Sequence, residues 1–239
     1  LLFDIIMCLL FIKIILTPFY FLFMKLHMSQ NTSITLIRHG ETEWNLCGRW
    51  QGHADSPLSP RGVAQAEALG QRMKGEKFDF FYSSDLGRAM HTSELVGGPS
   101  GMVAEQYIGL RERDLGVLEG MNTEEMKVSQ PDIYSSFRND GPDFQVPNGE
   151  SFREFCLRCS GAIEELATRH SGGNIALVTH GGVLGAIFRY VLNLPLDSDR
   201  NFVLLNCSIN RIERVEAGWN LISWGDVAHL KELSTLDDG

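Results

Sequence analysis

Two stretches of the chain end an apolar run on a histidine followed by glycine: "LIRHGE" at residues 36–41 and "LVTHGG" at 177–182. Apolar runs of this kind read as buried strands. In a parallel sheet, two such strands deliver His39 and His180 to the same C-terminal edge, where open α/β folds bind ligands. A helix expected from about Val183 would aim its N-terminal amides at that edge, which favours an anion. Taken singly, either histidine reads as well as a hydrogen-bonded strand terminus. The repeated strand–His–Gly context is what points to chemistry.

Strand-like and helix-like runs alternate along residues 28–239. Strands are expected at 33–38, 78–83 and 174–180. Helices are expected at 61–74, with Ser59 as N-cap and Pro60 at the first position, and at 86–95 and 183–192. A long amphipathic helix starts near Ser151, with Phe152, Phe155, Cys159, Ile163 and Leu166 on one face. Residues 202–224 read as short antiparallel strands. This alternation implies an α/β sandwich with a mostly parallel sheet. The stretch 113–149 is polar, rich in Pro and Gly, and reads as an irregular cap insertion over a site. Phe137, Phe144 and Met126 there suit an apolar cap or simple loop anchors.

The 239 residues carry a net charge of -9, with 44% hydrophobic and 21% charged residues, as in ordinary globular chains. That acidity excludes nucleic acid and anionic membrane as main partners, because both reward a basic face. Five cysteines make no disulfide framework and suit a reducing compartment. Cys156 and Cys159 read as two small apolar residues on one helix face. Residues 1–27 are almost wholly apolar, broken by Asp4, Lys13, Pro18 and Lys25. They are expected to be either an upstream extension from a misassigned start, with Met28 the natural one, or a membrane anchor. Removing them takes away two bases and one acid, so -9 becomes -10 and the remainder stays acidic. The expectation is one cytoplasmic domain over 28–239, membrane-anchored only if the apolar segment is genuine.

Several further blocks follow in order: "RHGETEWN", "GRWQGHADSPLSPRGVAQAEALG", "SSDLGRAMHTSEL", "LRERDLGVLEG", "VTHGG" and "WGDVAHL". Together they resemble the histidine phosphatase superfamily, the phosphoglycerate mutase-like proteins, over roughly residues 34–230. The resemblance implies a three-layer α/β/α sandwich with a small irregular cap. It also implies that His39 is the nucleophile at phosphorus, that Glu112 is the proton donor, and that Arg38, Arg88 and His180 bind phosphoryl oxygens. Asn45 would support the phosphate pocket, with Gln51 and Thr42 at its mouth and Gly181 beside it. No cofactor or metal is implied. A small phosphorylated metabolite is the expected partner, and a homodimer is expected by analogy only.

The chemistry is coherent on its own terms. A phosphoryl group in flight spreads negative charge over its oxygens, so catalysis is mostly positioning and cationic clamping. Arginine forks match phosphate better than the point charge of lysine. An imidazole is a competent nucleophile when one nitrogen is free and the other is held by a fixed acceptor. Gly40 is expected to let backbone and phosphate approach closely. Bland readings stand beside these: Arg88 as a helix-surface residue paired with Asp85 or Glu94, and "RERD" as a solvated charge run. Glu41 and Glu43 are expected to orient basic groups rather than act as acids. Glu112 and His180 lie 68 residues apart, which is short for the mutases. Residues 113–149 hold only Arg113, Lys127 and Arg138 as bases, and Gly182 stands where the resembled mutases carry a polar residue. These features favour water as acceptor, hence a phosphatase, with mutase-type transfer as the alternative. A phosphate-binding scaffold and a metal-dependent hydrolase are the readings from other classes.

Overall fold

The structure, a computed structural model, describes residues 31–231 and 233. The expectation for residues 1–27 lies outside the described residues. Among those described, no helix is long and apolar enough to cross a membrane.

Six strands form one sheet: β1 (Thr32–Arg38), β2 (Phe80–Ser83), β3 (Glu105–Gln106), β4 (Asn174–Thr179), β5 (Ile209–Val215) and β6 (Gly218–Asp226). Their order is β3-β2-β4-β1-β5-β6, with β3, β2, β4 and β1 parallel and β5 and β6 added antiparallel. The parallel strands come from runs such as "ITLI" and "IALV", whose alternate residues are buried on opposite faces. On one face Ile34, Leu36, Ile175 and Leu177 join the core under α6 (Phe152–Arg169) and α7 (Gly181–Val191). On the other, Ile37, Ala176 and Val178 pack with Leu69 and Ala89 of α2 (Pro60–Met73) and α3 (Gly87–Gly97). The result is a three-layer α/β/α sandwich with a mostly parallel sheet, as the sequence leads one to expect.

Local signals place several element ends. Ser59 caps α2, its hydroxyl accepting from the Gly62 amide, with Pro60 at the first turn. Ser151 and Glu154 form a capping box at the start of α6. Cys156 and Cys159 of α6 are buried in the core, where burial pushes the Cys156 thiol up to about 11 and raises that of Cys159 well above its ordinary value. They are packing residues, inert as thiols.

The stretch 113–149 is more regular than its composition suggests. It contains a single turn at Gly116–Leu118 and two helices, α4 (Thr123–Ser129) and α5 (Pro131–Asn139). Leu115, Leu118, Met126 and Val146 give it a small core of its own, against which Phe137 and Phe144 pack. Asn122 and Glu125 close a capping box on α4, and Arg49 pairs with Glu125 at 2.6 Å. Met126 is thus an anchor, whereas Phe137 also reaches the cavity described below.

Between β1 and α2 lies α1 (Glu43–Leu46). A Cβ on Gly40 would sit 2.6 Å from the Gly62 carbonyl oxygen, and one on Gly62 would sit 1.9 Å from the Glu41 oxygen. Gly40 therefore serves a backbone-to-backbone contact with α2; that packing, rather than approach of a phosphate, is what its missing side chain permits.

Candidate active site

Strand register brings the two histidines together. Arg38 stands opposite Thr179 in the parallel β1–β4 pair, so His39 and His180 leave the sheet at the same level. The His39 amide donates to the Thr179 carbonyl at 2.9 Å, and the two rings lie 5.2 Å apart, edge to face. Both are almost fully buried.

The His39 ring is fixed by its own backbone. Nδ1 lies 2.8 Å from the Gly40 carbonyl oxygen, which can only accept, so Nδ1 bears the proton and Nε2 keeps its lone pair. Burial, then the Arg88 and Arg38 guanidiniums, push this imidazole well below the usual histidine value, against the pull of the Gly40 carbonyl. His180 is pushed down in the same way, by burial first and then by Arg88, His39 and Arg38. Its Nε2 is 2.8 Å from the Ser84 hydroxyl at the end of β2, while Nδ1 is buried with no partner.

Arg88, at the start of α3, is 1% exposed. It donates to the Gly52 carbonyl at 2.8 Å, the Ala54 carbonyl at 3.0 Å and Asp55 Oδ1 at 3.0 Å. The surface pairing with Asp85 or Glu94 does not occur: Asp85 is taken by Arg111 at 2.5 Å. A buried guanidinium with these few partners is positioned for an anion. Arg38 donates to the Leu204 carbonyl, and Gly181 packs against its guanidinium.

Glu112 follows the turn Ile108–Leu110, which Thr179 ties to β4 through a 2.8 Å bond from its hydroxyl to the Leu110 carbonyl. Its carboxylate accepts from the Arg113 amide at 2.8 Å and from the Gly182 amide at 2.9 Å. Part of the anion-binding capacity expected at the start of α7 is therefore used by this side chain. A Cβ on Gly182 would fall 2.2 Å from Glu112 Oε1, so the glycine is what admits the carboxylate. "RERD" is not a solvated run: Arg111 pairs with Asp85, and Arg113 donates to the Glu150 carbonyl at 3.1 Å.

These groups line one cavity of about 510 Å³ that opens to solvent. Arg38, His39, Asn45, Gln51, Arg88, Glu112 and Gly181 all face it; His180 is not among the lining residues, its ring lying 5.2 Å from that of His39. Gln51 Oε1 is buried without a partner. Thr42 departs from expectation. It is fully buried and does not line the cavity; instead it caps α1, its hydroxyl accepting from the Asn45 amide at 3.1 Å while Asn45 Oδ1 accepts from the Thr42 amide at 2.9 Å. Thr42 thus holds Asn45 in place. Glu41 is buried against Arg61 and Ser59, orienting a basic group as expected, whereas Glu43 is exposed.

Four supports were not legible in the sequence. Ser84 meets His180, and Asp55 meets Arg88. Glu119 accepts from the His53 and Ala54 amides at 2.6 and 2.9 Å, fixing the loop that serves Arg88. Asn206 donates its amide to the His39 carbonyl at 3.1 Å, beside the Cys207 amide, which bonds the Arg38 carbonyl at 3.1 Å. Cys207 has a φ of 52°, a left-handed backbone uncommon outside glycine, and this turn sets its amide onto the end of β1. Asp55, Ser84 and Glu119 fall within the quoted motif blocks, but nothing in those blocks assigns them a role, and Asn206 lies outside them. The partners of Arg88 and His180 are 33 and 96 residues away and carry no local signal.

A neutral imidazole aimed into a pocket with two guanidiniums and a carboxyl group is equipped to take and pass on a phosphoryl group. The fold and site thus define an enzyme of phosphoryl chemistry. The chain belongs to the histidine phosphatase superfamily (branch 1), whose family model matches residues 34–227. It is an enzyme of phosphohistidine-mediated phosphoryl hydrolysis or transfer. It is 36% identical over 214 residues to the "Metal-independent phosphoserine phosphatase" of Arabidopsis thaliana, covering 88% of each chain. It is 35% identical to the Proteus mirabilis protein called "Probable phosphoglycerate mutase GpmB", over 86% of this chain and 97% of that one. The alpha-ribazole phosphatase structure from Shigella flexneri superposes with a TM-score of 0.76 at 30% identity, over 82% of this chain and 97% of that one.

Two predictions follow from the geometry. Replacing Gly182 by alanine displaces the Glu112 carboxylate, so kcat falls by up to about 100-fold while the melting temperature changes little, the clash being with the end of a flexible side chain; unchanged kcat would contradict this placement. The histidines predict the acid side of stability. Their folded pKa values lie well below the 6.5 of an ordinary histidine. As pH falls below 6.5 the unfolded chain therefore binds protons that the folded chain does not, and stability falls with it until the folded imidazoles titrate. Urea unfolding at pH 7 and pH 5 should show a smaller loss for His39→Gln than for wild type; an equal or larger loss would show that His39 is not held neutral.

Proposed function

We propose that the protein is a phosphatase acting on a small phosphomonoester. His39 Nε2 attacks phosphorus in line with the ester oxygen, and the P–O bond breaks as the P–N bond forms. Arg38, Arg88 and the free Nδ1 edge of His180 hold the phosphoryl oxygens. The Glu112 carboxyl group gives its proton to the leaving oxygen. In the second half, the Glu112 carboxylate takes a proton from water, whose oxygen attacks phosphorus; the P–N bond breaks, and phosphate leaves with His39 neutral again. Asn45 and Gln51 support the bound group, and Gly181 leaves room beside Arg38.

The observation that carries this reading is the His39–Gly40 contact, which leaves Nε2 of a buried ring as a lone-pair donor in a cationic pocket. Water as the acceptor is supported by the open cavity and the part-exposed Glu112, since transfer between organic acceptors requires water to be kept out. Gly182 supports it too: it gives the carboxylate room close to the helix start. The relative named as a phosphoserine phosphatase is consistent with the same reading.

The test is release of p-nitrophenol from p-nitrophenyl phosphate by the full chain with excess EDTA. Turnover should persist with EDTA and fall at least about a thousandfold in His39→Ala. Wild-type turnover by His39→Ala would refute the histidine route, and loss with EDTA would point to a metal. Interconversion of phosphoglycerates faster than their hydrolysis would overturn water as acceptor.

A further inference from the structure

Glu112 sits on backbone that no regular element holds. Residues 111–115 belong to no helix or strand, so their carbonyls need partners from elsewhere. Those partners come largely from one side chain on α6, the half-buried Arg158. Its Nη1 donates to the Gly109 and Arg111 carbonyls at 3.2 and 2.9 Å, and its Nη2 to the Glu112 carbonyl at 3.1 Å. Glu150 takes the rest of the fork: Nη2 reaches Oε1 at 2.5 Å and Nε reaches Oε2 at 3.3 Å. All five N–H groups of the guanidinium therefore meet an acceptor, which only the rigid arginine fork can arrange.

Glu150 carries the same grip one step further along. Its Oε1 also accepts from the Asp114 amide at 3.0 Å, and its own amide donates to the Asp114 carbonyl at 3.0 Å. Its carbonyl accepts from the Arg113 guanidinium at 3.1 Å. The backbone is thus fixed before and after Glu112 by a single ion pair at the start of α6. From the opposite side, His53 Nε2 lies 3.0 Å from the same Glu112 carbonyl, which can only accept. His53 belongs to the loop whose Gly52 and Ala54 carbonyls hold Arg88, so the acid and the phosphate clamp are referenced to one another.

The consequence is chemical. A carboxyl group passes a proton only within hydrogen-bond reach of the oxygen that receives it, and an error of about 1 Å can cost on the order of a hundredfold. The Arg113 and Gly182 amides hold the Glu112 carboxylate, but the first of these is itself part of the stretch that Arg158 and Glu150 position. We propose that the Arg158–Glu150 pair is a positioning clip for the general acid, and that its loss impairs protonation of the leaving oxygen more than capture of the phosphoryl group. The proposal rests on Glu112 being that acid.

Two aryl esters separate the steps in the full chain. The kcat/KM value covers events up to departure of the leaving group, so the later attack of water does not enter it. p-Nitrophenolate leaves readily without a proton, whereas phenolate depends more on the acid. Arg158→Gln should lower kcat/KM for phenyl phosphate at least about fivefold more than for p-nitrophenyl phosphate, a weaker form of the bias shown by Glu112→Gln. Arg158→Lys, with its donors on one nitrogen, should recover part of the loss. Glu150→Gln should show the same bias as Arg158→Gln and decides the matter if that variant does not fold. Equal losses on both esters, as from a site loosened as a whole, or no loss at all, would overturn the clip. Failure of the underlying reading is distinct: Glu112→Gln would then penalise both esters alike, and the acid role would fall together with the clip.

Discussion

Everything at this site depends on keeping an imidazole uncharged between two guanidiniums. Burial penalises a protonated His39 most, and Arg88 and Arg38 repel it further. The Gly40 carbonyl then decides which nitrogen keeps the proton. The same cations that hold His39 neutral are the ones a phosphoryl group needs, so one arrangement supplies both the nucleophile and the clamp.

The fold serves that arrangement through register. Pairing Arg38 with Thr179 puts His39 and His180 at one edge, and the backbone contact of Gly40 with Gly62 locks the turn after β1 onto α2. From the other side, the Asn206 side chain and the left-handed Cys207 amide hold the carbonyls of His39 and Arg38. His39 therefore has little freedom in backbone or ring. The acid is held by a different route: two backbone amides, one of them at the start of α7, grip Glu112, and the missing Cβ of Gly182 makes the space.

The layers and the two histidine strands were legible because long apolar runs, Ser59 with Pro60, and Ser151 with Glu154 are local signals. The helices inside 113–149 were not, since they are short and take their stability from Leu115, Leu118, Met126 and Val146 rather than from a strong period of their own. Thr42 was expected at the pocket mouth from the family resemblance; a capping hydrogen bond turns it inward. Arg189, which lines the cavity from α7, was missed for the opposite reason. Nothing in the sequence singles it out inside an apolar helix, and only the packed rings of Phe152 and Phe202 reveal it as buried in the cavity wall.

The account stands or falls on a covalent bond to one nitrogen. The most direct measurement is mass spectrometry of the full chain mixed with a phosphomonoester and quenched in alkali, where a phosphohistidine survives. One phosphoryl group on the peptide containing His39, absent from His39→Ala and lost on continued incubation with water, is the predicted result. A phosphoryl group on another residue, or steady turnover with none on His39 at any time sampled, would contradict it.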